Sequence, residues 1–101
     1  MAKIEYAGLK EINEKEKEIL DKLSEEYYPK IKRKLHNELT LKIHIKKYSE
    51  TGEKHKWSIH AKAIAPTKIF TSDKACDWDF ARTLHKAFKD LENEISKKMK
   101  E

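Results

Sequence analysis

Residues 39–63 read LTLKIHIKKYSETGEKHKWSIHAKA. Leu39, Leu41, Ile43 and Ile45 alternate with Thr40, Lys42, His44 and Lys46. Side chains along a strand point to opposite faces in turn, so this alternation predicts a strand with one buried and one wet face. Trp57, Ile59, Ala61 and Ala63 then alternate with Lys56, Ser58, His60 and Lys62 and predict a second strand of the same kind. Between them, Ser49 to Lys54 contains Thr51-Gly52 and reads as a hairpin loop. Strands joined this closely pair antiparallel.

Downstream, Ala65-Pro66-Thr67 predicts a tight turn, and Lys68 to about Ala75 a further strand with weaker alternation. Residues 77–95 read DWDFARTLHKAFKDLENEI. Phe80, Leu84, Phe88, Leu91 and Ile95, with Ala87 and Met99, fall in one stripe of a helix. Asp77 is the expected N-cap, and Asp79 suits the positive end of the helix dipole. The opposite side carries Arg82, Lys86, Lys89, Lys97 and Lys100, interrupted by Asn93. That spine reads either as a solvated face or as a ridge that meets phosphate.

Upstream, Ala2 to Leu9 predicts a short first strand, with Ile4 and Tyr6 on one face, Lys3 and Glu5 on the other, and Gly8 at its end. Ile12 to about Tyr28 predicts a helix with Asn13 as N-cap and Glu14, Glu16 and Glu18 in its first turns. Its stripe is Leu20, Leu23, Tyr27 and Ile31. Pro29 lies inside this pattern. An interior proline costs about 3 kcal/mol, so a kink or break is expected there, followed by a further turn or two to Leu35. Lys30, Lys32, Arg33, Lys34 and His36 cluster at that end, where cations complement the helix dipole and equally could meet an anion. His36-Asn37 is the stop signal.

The order is β-α-β-β-β-α, an α+β fold with one domain over residues 1–101. Each strand of the meander has a single apolar face, and two amphipathic helices need a surface to bury their stripes. The expected solution is a four-stranded sheet with both helices on one face, the first strand at an edge and the other face open to water. In outline this is double-stranded-RNA-binding-domain-like.

Charged residues make up 41% of the chain and hydrophobic ones 38%, but the apolar residues are periodic, which indicates a folded protein. The net charge of +5 is unevenly placed. Residues 1–29 hold five Lys against eight acids (−3), residues 30–68 eleven Lys or Arg against three acids (+8), and residues 69–101 seven against seven. A basic middle third points to a polyanion partner. The single Cys76 forms no internal disulfide, so a reducing cytoplasm is expected. No apolar run approaches the ~18 residues of a membrane span, and no signal peptide is expected.

The open face of the two central strands reads Lys42, His44 and Lys46 beside Lys56, Ser58, His60 and Lys62, with no acid. Like charges across strands repel, so this concentration points to a counter-charge from outside. Its Lys and His suit the phosphate backbone of folded RNA. Trp57 falls on the inward set and Tyr48 at a strand end; Trp78, beside the helix start, is the one ring that could be exposed, though packing over the end of the core is the expectation. The aromatics therefore tell against a base-stacking surface. No catalytic constellation is present. Cys76 and His85 alone are not a nucleophile and base, the five His have no Cys or acid at ligand spacing, and two Gly allow no phosphate loop. No enzyme activity, cofactor or metal is expected.

The order of elements, together with Asp79-Phe80-Ala81, Leu84 and Phe88-Lys89-Asp90-Leu91-Glu92-Asn93-Glu94-Ile95, resembles the ribosome hibernation-promoting factor and ribosome-associated inhibitor family. Tyr27-Tyr28-Pro29-Lys30-Ile31 is similar to the aromatic pair and basic-apolar step that close that family's first helix. Asp90 and Asn93 depart from it where members often carry basic residues, while Lys97 fits. The resemblance implies binding to the small ribosomal subunit and its rRNA, in the path of messenger and transfer RNA, through basic residues. A short form without the extra C-terminal domain of long members is expected. The implied contacts are Lys42, Lys46, Lys56 and Lys62 with His44 and His60, then Lys30, Lys32, Arg33 and Lys34, and in second rank Arg82, Lys86 and Lys97. The competing readings are a general structured-RNA binder and a protein-interaction module or homodimer.

Overall fold

The computed structural model describes residues 3–36, 38–49, 55–66 and 68–99. It runs through β1 (Lys3–Ala7), a single 3-10 turn at Leu9–Glu11, α1 (Glu14–Leu35), β2 (Thr40–Ser49), β3 (His55–Ile64), β4 (Ile69–Asp77) and α2 (Phe80–Met99). The strands form one mixed sheet in the order β1-β2-β3-β4. β1 runs parallel to β2, and β2, β3 and β4 are antiparallel. A parallel neighbour needs a long crossover, and α1 supplies it. The expected hairpin loop at 50–54, Asn37, Thr67 and Lys100 lie outside the described residues, as does the side chain of Met99.

α1 starts where Asn13 accepts from the Glu16 amide at 2.8 Å and Glu16 Oε1 accepts from the Asn13 amide at 3.0 Å, a reciprocal cap. Contrary to the expected break, the helix runs through Pro29 without interruption. The carbonyl that loses its donor belongs to Glu25, and both Glu25 and Pro29 are exposed residues. Meanwhile Tyr27, Tyr28, Ile31 and Leu35 hold the buried side across the proline. The helix ends at His36, left-handed at φ 55°, whose amide donates to Lys32 O at 2.9 Å.

The inward sets meet in one core. Leu41, Ile43 and Ile45 of β2 and Ile59, Ala61 and Ala63 of β3 lie under Leu20 and Ile31 of α1 and Leu84, Phe88, Leu91 and Ile95 of α2. The two helices touch through Tyr27 and Phe88, stacked at 4.7 Å, and Phe80 meets Trp57 edge-on at 5.0 Å. Both helices therefore cover one face of the sheet.

The weak alternation of β4 has a local cause. Ile59 pairs with Ala75 but Ala61 with Ser72, so β4 carries one extra residue. At this bulge Asp73 and Lys74 are exposed in succession, and the inward set shifts from Phe70 and Ser72 to Ala75.

Candidate nucleic-acid interface

The uncovered face is built by register. Lys42 stands opposite Lys62, His44 opposite His60, Lys46 opposite Ser58 and Tyr48 opposite Lys56. The His44 and His60 rings lie 6.2 Å apart at 74°. Among the described residues, no group of three His, Cys, Asp or Glu gathers as metal ligands would. β2 and β3 bring no acid to this face, but β1 does: Glu5 Oε1 lies 3.6 Å from Lys42 Nζ. Both side chains are more than half exposed, so this is a weak tether that an incoming phosphate can replace. A shallow depression of about 360 Å³ lies here, edged by Glu5, Lys42, His44, His60 and Lys62.

The other candidates belong to the helix layer, on the far side of the sheet. Lys30 Nζ sits 5.0 Å from the Tyr27 ring centroid. Lys32 pairs with Glu38 at 2.9 Å, a bond that holds the Glu38 carboxyl below its ordinary range and raises Lys32. Lys34 donates to Ser96 Oγ of α2 at 2.9 Å, while Arg33 is exposed. This cluster thus stands in the helix layer, whereas Lys42 and Lys62 stand on the open face of the sheet.

Asp77 is not the N-cap of α2. Asp79 is: its carboxylate accepts from the Arg82 amide at 2.9 Å. Asp77 closes β4 and accepts from the Trp78 amide at 2.6 Å and from Lys86 Nζ at 2.8 Å, with Arg82 at 3.9 Å. The Lys86 hydrogen bond, and then that of the Trp78 amide, hold this carboxyl below the usual carboxylate range. Arg82 and Lys86 thus already face an acid. Lys97 edges a polar groove between α2 and the bulged edge of β4, beside Asp73, Asp90 and Glu94.

Cys76 is exposed on β4 in register with Ser58, whereas His85 meets the Tyr27 hydroxyl at 3.0 Å through Nδ1 in the helix layer.

Of the aromatics, Trp57 lies inward as its alternation predicts, and Trp78 departs from its expected packing. Trp57 is buried, and Lys47 Nζ lies 5.3 Å from its ring. Trp78, expected over the end of the core, is 50% exposed, and Tyr48 is 48% exposed. Lys56 Nζ lies 5.9 Å from the Trp78 ring centroid. The signal for this was the odd-even count: Tyr48 shares the parity of Lys42, His44 and Lys46.

The chain matches no protein-family model, no curated protein and no solved structure.

Proposed function

We propose that the protein is a non-enzymatic RNA-binding factor that docks its open sheet face on the phosphate backbone of small-subunit rRNA. The observation that carries this reading is the register itself, which sets Lys42 against Lys62 and His44 against His60 on an uncovered face. Like charges directly opposite one another destabilise a sheet, and a polyanion relieves that repulsion. Lys42, Lys46, Lys56 and Lys62 are the principal contacts, with His44 and His60 between them. The helix-layer cations are secondary, because several are engaged within the fold.

The choice of the small subunit as target rests on the order of elements and on the residue pattern of the last helix, which resemble ribosome hibernation factors. On this reading the protein works in the cytoplasm by occupying the path of messenger and transfer RNA. A second reading, sequence-independent binding to any structured RNA, is favoured by one feature. The open positions of β2 and β3 carry Lys and His but no Arg, Asn or Gln, the forked groups that read base edges in pairs of hydrogen bonds.

Co-sedimentation on sucrose gradients tests both. Stoichiometric, salt-sensitive association with small subunits, lost in a Lys42→Glu, Lys56→Glu, Lys62→Glu variant, is the expected result. Equal affinity for arbitrary duplex RNA would favour the second reading, and intact binding by the variant would defeat the sheet-face assignment.

A further inference from the structure

Among the nine aromatic rings of the chain, Tyr27, Tyr28, Trp57, Phe70, Phe80 and Phe88 are buried and Tyr6 is half-buried. The two exposed rings, Tyr48 and Trp78, stand at the same end of the same open face. Tyr48 is opposite Lys56 across β2 and β3, and Trp57 is opposite Asp77 across β3 and β4. The next step along both strands brings Trp78 beside Lys56, whose ammonium lies 5.9 Å from the ring. One row across the sheet therefore runs Tyr48, Lys56, Trp78.

The backbone at Trp78 is bonded on both sides. Trp78 and Asp79 are the whole connection between β4 and α2. The Trp78 amide is bound by Asp77, which Lys86 and Arg82 grip, and Asp79 caps the helix that follows. Two large rings half in water at one end of a lysine-bearing face offer a surface that a partner can cover.

Resting on the RNA-binding reading, we propose that Trp78, with Tyr48 and Lys56, is a stacking site for unpaired nucleobases at the end of the phosphate-binding face. Bases stack on aromatic rings whatever their identity, and Lys46 and Lys56, the charges that β2 and β3 carry around the rings on this face, are positive as a following phosphate requires. A protein surface that offers a flat apolar group could cover the rings but would lack the repeating anion. The open face then has two zones: lysines in register that hold backbone, and a ring platform that holds a base out of pairing. The preferred ligand is RNA with an unpaired stretch, not continuous duplex.

The test is a pair of titrations of the full chain, one with short single-stranded oligoadenylate and one with duplex RNA, following tryptophan emission and affinity. Trp57 is buried, so quenching reports on Trp78. Single-stranded RNA is expected to quench the emission. Trp78→Ala is expected to weaken single-strand binding about tenfold or more and duplex binding less than about twofold, with Trp78→Phe retaining most of the affinity. Tyr48→Ala, remote from the strand-helix joint, is expected to weaken the single strand selectively as well. If the wild type binds RNA in a salt-dependent way but both alanine variants bind the single strand unchanged, the stacking site is overturned and the RNA-binding reading stands. If the wild type binds neither RNA, both fall. If Trp78→Ala only converts a dimer to a monomer, the rings belong to a second copy and the stacking site is wrong.

Discussion

Lys42 on β2 and Lys62 on β3 stand directly opposite each other on the uncovered face of the sheet. Their repulsion is a cost that the fold bears, and it sets stability against binding at one position. Lys62→Glu is expected to stabilise the protein by about 0.2–1 kcal/mol through a cross-strand ion pair with Lys42. The same change is expected to weaken RNA binding. Urea unfolding and filter binding on one preparation check both signs.

Asp77 gives the acid side of the stability profile. Its carboxyl is held below the ordinary range, first by the Lys86 hydrogen bond. A carboxyl lowered on folding contributes stability that is fully present above its unfolded pKa, about 3.9, and lost as pH falls through the folded value. Asp77→Asn keeps an acceptor for the Trp78 amide and loses the charge. It is expected to melt lower than wild type at neutral pH, with the gap closing below about pH 4. A constant gap from neutral to strongly acidic pH would show that the Lys86 pair contributes nothing.

Tyr28 ties α1 to the start of the meander, its buried hydroxyl donating to Leu39 O at 2.8 Å. Tyr28→Phe leaves that carbonyl without its donor and is expected to cost about 1–3 kcal/mol in chemical denaturation, with no change in RNA affinity.

Gly8 has φ 86°, and a Cβ there would drive into the carbonyl oxygen of Ile45. Gly8→Ala is expected to destabilise the fold by about 1–3 kcal/mol. Because the clash lies against β2, amide exchange in β1 and the adjoining part of β2 should rise before the rest of the sheet opens.

The fold was legible because the central strands alternate cleanly and each helix carries one apolar stripe. Asn13 with Glu16 was legible as a cap because both partners lie within one turn. The bulge at Asp73 and Lys74 was not, since it is defined by the Ile59 and Ala61 partners on β3. The choice between Asp77 and Asp79 as cap depended on where β4 ends, which that bulge shifts. The open-face candidates lie where alternation put them. Lys30 to Lys34 and Arg82 to Lys97 belong to the helix layer, a placement that no spacing along the chain encodes. At Pro29 a break was one of the two expected outcomes and does not occur, because the buried stripe of Tyr27, Tyr28, Ile31 and Leu35 continues across it.

The most direct measurement is the salt dependence of RNA affinity for three proteins: wild type, Lys42→Ala with Lys62→Ala, and Arg33→Ala with Lys97→Ala. Each phosphate contact removed lowers the slope of log K against log salt by about one. The open-face pair is expected to lose about two from the slope, and the helix-layer pair, as secondary contacts, to lose less than about one. An unchanged slope for the open-face pair, or a loss confined to the helix-layer pair, would contradict the assignment of the sheet as the phosphate-binding surface.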